Sequence, residues 1–86
     1  MIIGKVIGSV VSTRKNERLV GNKLMIVEPI NKKNTQIVAI DDIGAGIGEY
    51  VLVAIGSAAR VGAGKENAPI DAAIVGIIDD GENFSK

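Results

Sequence analysis

Residues 51–55, Val-Leu-Val-Ala-Ile, form a strand-like run that has no polar side chain on either face. Successive side chains of a β-strand point to opposite faces, so both faces of this strand are apolar. Parallel strands buried between helices have this character, but they belong to larger α/β domains than 86 residues allow. A chain this short therefore needs other protein surface against which both apolar faces of this strand can be buried.

The rest of the chain has the pattern of short strands separated by polar or glycine-rich turns. The predicted strands cover residues 1–13, 22–28, 35–41, 49–56 and 72–79. Pro29 is expected to end the second strand because proline cannot donate to a ladder. Residues 57–62, Ser-Ala-Ala-Arg-Val-Gly, are predicted to form one short helical turn with Ser57 as its N-cap.

This pattern predicts an all-β protein, a small five-stranded, OB-like (oligonucleotide-binding-like) β-barrel with one short helical turn. No linker or internal repeat divides the chain. We expect a single domain over residues 1–80, followed by a polar C-terminal tail over residues 81–86.

The first, fourth and fifth strands are apolar on both faces. Strict alternation puts Gly4 and Gly8 on one face of the first strand. In the fifth strand it puts Ala72, Ile74 and Ile78 on one face, and Ala73, Val75 and Ile77 on the other. Each large aliphatic side chain left in water forgoes about 1.5–3 kcal/mol. Since no helix is predicted that covers the second face, we expect another copy of the chain to cover it, so the protein should be an oligomer.

Composition and charge exclude several classes of function. Ten basic residues balance ten acidic ones, so no net field attracts nucleic acid or a charged membrane. No apolar run approaches the roughly 20 residues of a membrane span, and no secretion signal is visible. The chain has no cysteine and no histidine, which removes thiolate sites, the commonest general base and the commonest metal ligand. We therefore predict no catalytic residues, no metal and no cofactor.

Two glycine-rich motifs resemble nucleotide-binding sequences without matching them. The loop at residues 44–48 has its third glycine two positions after the second, whereas the dinucleotide fingerprint needs three. A tight turn packed against a neighbouring backbone is the preferred interpretation. The sequence Gly-Ala-Gly-Lys at 62–65 has Ala59 where a phosphate loop needs glycine, and Glu66 follows the lysine. Neither motif predicts a phosphate site.

Charged residues beside these loops have structural interpretations. Asp41 and Asp42 are strand neighbours that point to opposite faces, so turn formation explains them better than a shared-proton pair. Arg60 follows three small residues. It is either an exposed cation or the partner of a carboxylate, Glu49 or Asp71, on its own chain or the next one.

A binding function is the alternative that this architecture raises. A small barrel of this kind could bind a ligand or a single-stranded nucleic acid. Single-strand binders use stacking aromatic residues and a basic groove. This chain has one tyrosine, Tyr50, one phenylalanine, Phe84, and no net charge, so that activity is not supported.

From residue 1 to about residue 79, the chain resembles the EutN/CcmL family of bacterial microcompartment vertex proteins, which are pentameric shell proteins. The matching pieces are, in order, Gly-Lys-Val-Ile-Gly at 4–8, Val-Val at 10–11, Gly-Asn-Lys-Leu at 21–24, Ile-Gly-Ala-Gly-Ile-Gly-Glu at 43–49, Val-Leu-Val at 51–53, Gly-Ser-Ala-Ala-Arg at 56–60, Pro-Ile-Asp-Ala at 69–72 and Ile-Val-Gly-Ile-Ile-Asp at 74–79. Their order and spacing together are specific to the family.

The resemblance implies a structural, non-catalytic function. Five copies would cap a vertex of a polyhedral shell in the bacterial cytoplasm, and hexameric shell proteins would tile the facets around them. No cofactor, nucleic acid or membrane is implied as a partner. The residues implied at subunit contacts or near the fivefold axis are Gly44, Ala45, Gly46, Gly48, Glu49, Gly56, Ser57, Ala58, Ala59 and Arg60. Which of the two segments lines the axis is left open.

Overall fold

The structure is a computed structural model that describes residues 1–11, 21–64 and 70–79. Five strands and one helix follow in the order β1 (Ile2–Val10), β2 (Lys23–Pro29), β3 (Ile37–Asp41), β4 (Tyr50–Ile55), α1 (Ser57–Gly62) and β5 (Ala72–Ile78). The predicted fold class is confirmed. β3 and β4 are each two residues shorter than predicted and β5 is one residue shorter, whereas β2 keeps its predicted length and is shifted by one residue. β1 begins one residue later than predicted and ends at Val10. The proposed tail at 81–86, and the end of the predicted first strand, lie outside the described residues.

The strands close into a barrel with the order β1-β2-β3-β5-β4. Neighbouring strands are antiparallel except β3 and β5, which run parallel. This parallel pairing covers two residue pairs, Ile40 with Ala73 and Asp41 with Ile74. Closure of the barrel therefore depends on a short seam between β3 and β5.

Small and β-branched side chains fill the barrel. The buried cluster consists of Val6, Met25, Val27, Ala39, Ala45, Val51, Val53, Ala72 and Ile74. Ile2, Ile37 and Ile77 pack against it and are half-buried. Branched aliphatic side chains suit both the strand conformation and a narrow interior, which explains why this core contains no aromatic ring.

A β-bulge in β1 changes the face on which its second half lies. Val6 pairs with Val27, and Gly8 pairs with the next residue of β2, Ile26, so Ile7 has no partner of its own. One extra residue reverses the alternation beyond it. Gly4 is buried on the inner side against Val27, whereas Gly8 lies on the outer side with Ile26. The prediction that the two glycines share a face was wrong.

A second irregularity does the same in β5. Ile74 pairs with Val53, and Gly76 pairs with Leu52, so Val75 is the extra residue. Beyond it, Ile77 packs against the inner cluster, while its neighbour Ile78 lies opposite Tyr50 on the outer side. The predicted assignment of these two isoleucines to faces was therefore reversed.

Helix α1 covers part of the outer face, which the sequence analysis had left without cover. Ala59 is fully buried there with Ile40 and Ala73, and four half-buried apolar residues surround them: Leu24, Ala63, Ile70 and Val75. Ala59 and Ala73 have small side chains, so this six-residue helix can pack close to the sheet. This part of the outer face needs no second copy of the chain.

The start of α1 differs from the prediction. The N-cap is Gly56 rather than Ser57, and no side chain provides a capping hydrogen bond. Gly56 has φ 70° and ψ −142°, a conformation that glycine adopts without steric cost. Its N–H donates to the carbonyl oxygen of Asp71 at 2.7 Å, which ties the helix start to the residue before β5. At the end of β2, Pro29 closes the strand as expected, although it still lies opposite Gly4.

Large apolar side chains remain exposed on several elements of the described surface. They are Met1, Ile7, Val11, Val38, Ile43, Ile47, Ile55 and Val61. In the part of the chain that the structure describes, no helix is long and apolar enough to cross a membrane.

Candidate functional site

The loop from β3 to β4 begins with a buried carboxylate. Asp41, the last residue of β3, is 3% exposed. Its Oδ1 accepts hydrogen bonds from the N–H groups of Ile43 (3.0 Å) and Gly44 (3.1 Å), and its Oδ2 accepts one from Ala45 (2.8 Å). Three donors thus converge on one charged group, which makes these bonds stronger than neutral ones. The interpretation of Asp41 as a turn-forming residue is confirmed.

The second half of the same loop is fixed to β1. The N–H of Gly46 donates to Oε1 of Glu49 at 2.6 Å, and the N–H of Glu49 donates back to the carbonyl oxygen of Gly46 at 3.1 Å. Gly48 donates to the carbonyl oxygen of Val6 at 2.8 Å, and Val6 donates to that of Glu49 at 2.9 Å. The loop is therefore a tight turn against a neighbouring backbone, as expected, and it joins β1 next to the bulge.

Two glycines of this loop have backbone conformations that other residues rarely adopt. Gly44 has φ 84° and Gly48 has φ 94°. Both lie in the left-handed region, where a side chain would be strained. These two glycines thus have a local backbone role, whatever else the loop contacts.

The loop candidates differ in exposure. Ala45 is 1% exposed and belongs to the barrel core, so its side chain is not available to a neighbour. Gly44, Gly48 and Glu49 are exposed, and Gly46 is half-buried.

The sequence analysis missed two exposed isoleucines of the loop, Ile43 (46% exposed) and Ile47 (68% exposed). A large aliphatic residue beside glycine in a loop was the available signal. These side chains make the loop an apolar surface as well as a small-residue turn.

The second candidate segment covers the N-cap and most of α1. Ala59 is fully buried beneath the helix, so it packs within its own chain. Gly56 and Arg60 are half-buried, and Ser57 and Ala58 are exposed. Positions three apart share a side of a helix, so Ala58 lies beside Val61, which is 70% exposed.

Arg60 lines an open cleft with Asp71. The other residues around the cleft are Gly56, Ser57 and Ile70. Of the two carboxylates considered for Arg60, Asp71 lines the same cleft as Arg60. Glu49, by contrast, lies at the other end of β4.

The loop and α1 do not meet within one chain. Glu49 immediately precedes β4, and Gly56 immediately follows it. A six-residue strand is about 20 Å long. Each subunit therefore presents the two candidate segments at opposite ends of one strand.

The described residues contain no group of three or more acidic, histidine or cysteine side chains that could hold a metal ion. The carboxylates of Asp41 and Glu49 instead accept hydrogen bonds from the backbone of the loop, and Arg60 is half-buried beside an open cleft. The arrangement is suited to contacts with another protein surface.

Comparison with known proteins gives a consistent result. The family model described as "Ethanolamine utilisation protein EutN/carboxysome" matches residues 1–79. The bacterial microcompartment shell vertex protein GrpN of Rhodospirillum rubrum (strain F11) is 52% identical over 84 residues, which cover 92% of this chain and 93% of GrpN. The carboxysome shell vertex protein CcmL of Synechocystis is 48% identical over 83 residues, covering 92% of this chain and 83% of CcmL.

A solved structure agrees with these relatives. The GrpN pentameric microcompartment shell protein from Rhodospirillum rubrum superposes with a TM-score of 0.82 at 46% identity, covering 93% of this chain and 95% of that one. Both the sequence match and the structural match extend over nearly the whole chain. The chain belongs to the EutN/CcmL family.

Proposed function

We propose that this protein is a structural shell subunit whose homopentamer caps the vertices of a polyhedral bacterial microcompartment. The observation that carries the proposal is the likeness, over 93% of the chain, to a solved pentameric microcompartment shell protein. Relatives named as shell vertex proteins match it over almost their full length as well. The function is mechanical, and the chain performs it by its shape and by its contacts with other copies.

Features of the subunit support self-association. Apolar side chains are exposed on the loop, at Ile43 and Ile47, and on α1, at Val61. The other residues of these elements are mostly small, and five backbones that converge near an axis leave room only for small side chains. We place Gly44, Gly46, Gly48 and Glu49 of the loop, and Gly56, Ser57, Ala58 and Arg60 of the helix segment, at subunit contacts or near the fivefold axis. The side chains of Ala45 and Ala59 pack in the interior of the subunit.

The partners beyond the ring are hexameric shell proteins, which would surround each pentamer in the facets. The setting is the bacterial cytoplasm, where the shell encloses its cargo. Neither nucleic acid nor a membrane has a part in this function. Balanced charge, with ten basic and ten acidic residues, supports that part of the proposal.

Light scattering on the purified protein tests the proposal directly. We expect about five chains per particle, because association buries the exposed aliphatic side chains between subunits. A protein that stays monomeric would contradict the proposal, because a lone subunit cannot close a vertex.

Tryptophan at Ala58 or at Gly46 is expected to disrupt the ring. Ala58 is exposed, so its own subunit leaves room for a large side chain there, whereas a neighbouring subunit packed on this side of α1 would not. At Gly46 an added Cβ would lie 3.2 Å from Oε1 of Glu49, so that variant also tightens its own loop. Ala58→Trp is therefore the cleaner test. Particle mass should fall in at least one variant while the circular-dichroism signal of the strands is kept.

The matched control is Lys32→Trp, at an exposed turn after β2 and outside both candidate segments. It should assemble like the original chain. If Ala58→Trp and Gly46→Trp also form rings of unchanged mass, the placement of both segments at the contact is wrong.

A further inference from the structure

We propose that the ring of Phe84 packs into an apolar cleft on the outer face of its own subunit. The cleft, which we call the N-terminal cleft, is lined by Met1, Ile2, Ile3, Ile30, Asn31 and Leu52. Phe84 belongs to residues 80–86, which follow β5 and lie outside the described residues. The contact forms within one chain and needs no second subunit, so it goes beyond the proposed function.

The N-terminal cleft is apolar, and its largest side chains are only half-buried. Ile3 pairs with Leu52, and the N–H of Ile30 donates to the carbonyl oxygen of Ile3 at 3.1 Å. The three aliphatic residues therefore form one row across the outer face, which Gly76 continues on β5 without a side chain. Helix α1 packs on a different part of this face, so it does not bury the row.

The described chain ends close to this row. Ile78, the last residue of β5, pairs with Tyr50, which lies two residues along β4 from Leu52. With strands about 4.8 Å apart and residues about 3.3 Å apart, Ile78 lies about 8–12 Å from Leu52 and Ile3. Phe84 follows Ile78 by six residues, and six extended residues span about 20 Å. The connection is therefore long enough for Phe84 to reach the cleft after a reversal of the chain.

A reversal is needed because β5 runs away from the cleft, and the sequence after β5 favours one. Asp80 and Gly81 form a dipeptide that is typical of tight turns. A turn there returns residues 82–86 along the outer face, first over the pair of Lys5 and Tyr50 and then over the cleft.

The side chains of the returning segment match this surface in register. Glu82 and Phe84 are two residues apart, so they point to the same side of an extended chain. Lys5 and Ile3 have the same spacing on β1, so a Phe84 ring over Ile3 brings Glu82 beside Lys5. Lys5 is exposed, with its Nζ 5.8 Å from the centre of the Tyr50 ring. The contact thus pairs opposite charges and takes an aromatic ring out of water at the same time.

The size of the cleft and the shortness of the connection favour Phe84 of the same chain as the occupant. The cleft has a volume of about 420 Å³, within the range of about 300–1,000 Å³ in which proteins bind small organic molecules. Phe84 is the only large apolar residue between residues 79 and 86. Docking on its own subunit closes only a short loop, and the tether gives the ring a high effective concentration at the cleft.

Engineered cysteines test the contact, because the natural chain has none. The variant carries Ser85→Cys, next to Phe84, together with Asn31→Cys, an exposed residue of the cleft, and is treated with a short bismaleimide. We expect the two thiols to be joined within one chain, so that both are consumed while a denaturing gel shows the mass of a single chain. A product that joins two chains would mean that the segment docks on another copy, and it would overturn the inference.

The matched control keeps both cysteines and adds Phe84→Ser. Linking within one chain should become several-fold slower, because the connection remains but the apolar anchor is lost. An equal rate with and without Phe84 would show that the thiols meet only by random motion of the segment, and it would overturn the inference.

Tryptophan fluorescence gives a second measurement, because the natural chain has no tryptophan. Emission of Phe84→Trp should move to longer wavelength when Ile30→Asp is added in the cleft, and should not move when Val38→Asp is added at an exposed position on β3. Circular dichroism checks that the strands are kept, and Lys5→Glu replaces Ile30→Asp if they are not. Emission that is unchanged by the cleft substitution in a folded subunit would contradict the contact.

Light scattering on the same samples separates this inference from the proposed function. Rings that show no link within one chain would overturn the docking of Phe84 and leave the pentamer standing. A monomeric original chain would overturn the proposed function, and the same link within one chain would still support the docking.

Discussion

Replacing Asp41 with asparagine should destabilise the subunit by about 2–4 kcal/mol, a large share of the stability of a small domain. The asparagine amide oxygen can still accept from Ile43 and Gly44, but its NH₂ group would face the N–H of Ala45, donor against donor. Ala45 is itself part of the core, so the change affects packing as well as the loop. Thermal melting followed by circular dichroism should show a midpoint lower by about 10–25 °C.

Asp42→Asn is the matched control, since Asp42 is the adjacent residue and is exposed. Its expected effect is within about 0.5 kcal/mol. Both variants must be compared at one protein concentration, because assembly makes the midpoint depend on concentration. Equal midpoints for Asp41→Asn and the original chain would mean that the three hydrogen bonds do not stabilise the loop.

Replacing Gly4 with alanine should cost about 1–3 kcal/mol. A Cβ at this position would overlap Cγ1 of Val27, and it would lie 3.0 Å from the carbonyl oxygen of Glu28. Val27 is fully buried, and the Glu28 backbone is held in the ladder opposite Lys5, so neither neighbour can move away freely. Urea unfolding monitored by circular dichroism measures the loss.

Gly8→Ala provides the control within the same strand. The nearest atom to its added Cβ is Cδ1 of Ile26 at 3.6 Å, an ordinary contact. We expect no loss, or a gain of about 0.4–1 kcal/mol from the reduced freedom of the unfolded chain. The double variant Gly4→Ala with Val27→Ala should lose less than the sum of its single variants, because the smaller side chain removes the overlap. Equal losses for Gly4→Ala and Gly8→Ala would contradict the bulge that separates their faces.

The number, order and approximate position of the elements could be predicted from the sequence. Runs of branched aliphatic residues between polar or glycine-rich segments indicate strands of a small barrel, and residues 57–62 were placed correctly as a helix. These features depend on local pattern and turn chemistry, which neighbouring residues determine.

The faces of β1 and β5 could not be predicted, because Ile7 and Val75 interrupt the alternation. A bulge arises where a strand has to bend to close the barrel, so it depends on distant strands rather than on the residues around it. The packing of α1 on Ile40 and Ala73 could not be predicted either, because it brings together residues from three separate elements. The N-cap was missed because Gly56 serves through its backbone conformation and not through a side chain.

The candidate segments were also predicted only in part. Their glycines and small residues were identified from the resemblance, but the exposure of Ile43 and Ile47 was not. The pattern does not say whether an isoleucine between glycines packs inward, as Ala45 does, or outward. The hydrogen bonds that loop N–H groups donate to the carboxylates of Asp41 and Glu49 decide that orientation.

The short parallel seam between β3 and β5 has a consequence for how the subunit is made. The strand that closes the barrel, β5, follows the other four described strands in the sequence, and it fits between two strands formed earlier. A nascent chain that has emerged as far as β4 therefore still presents the open side of β3, with backbone groups able to pair with another incomplete chain. Growing polypeptides on one messenger RNA lie close together, so the emergence of β5 from the ribosome, rather than the pairing of the first hairpin, marks the point from which a subunit is safe to meet its copies.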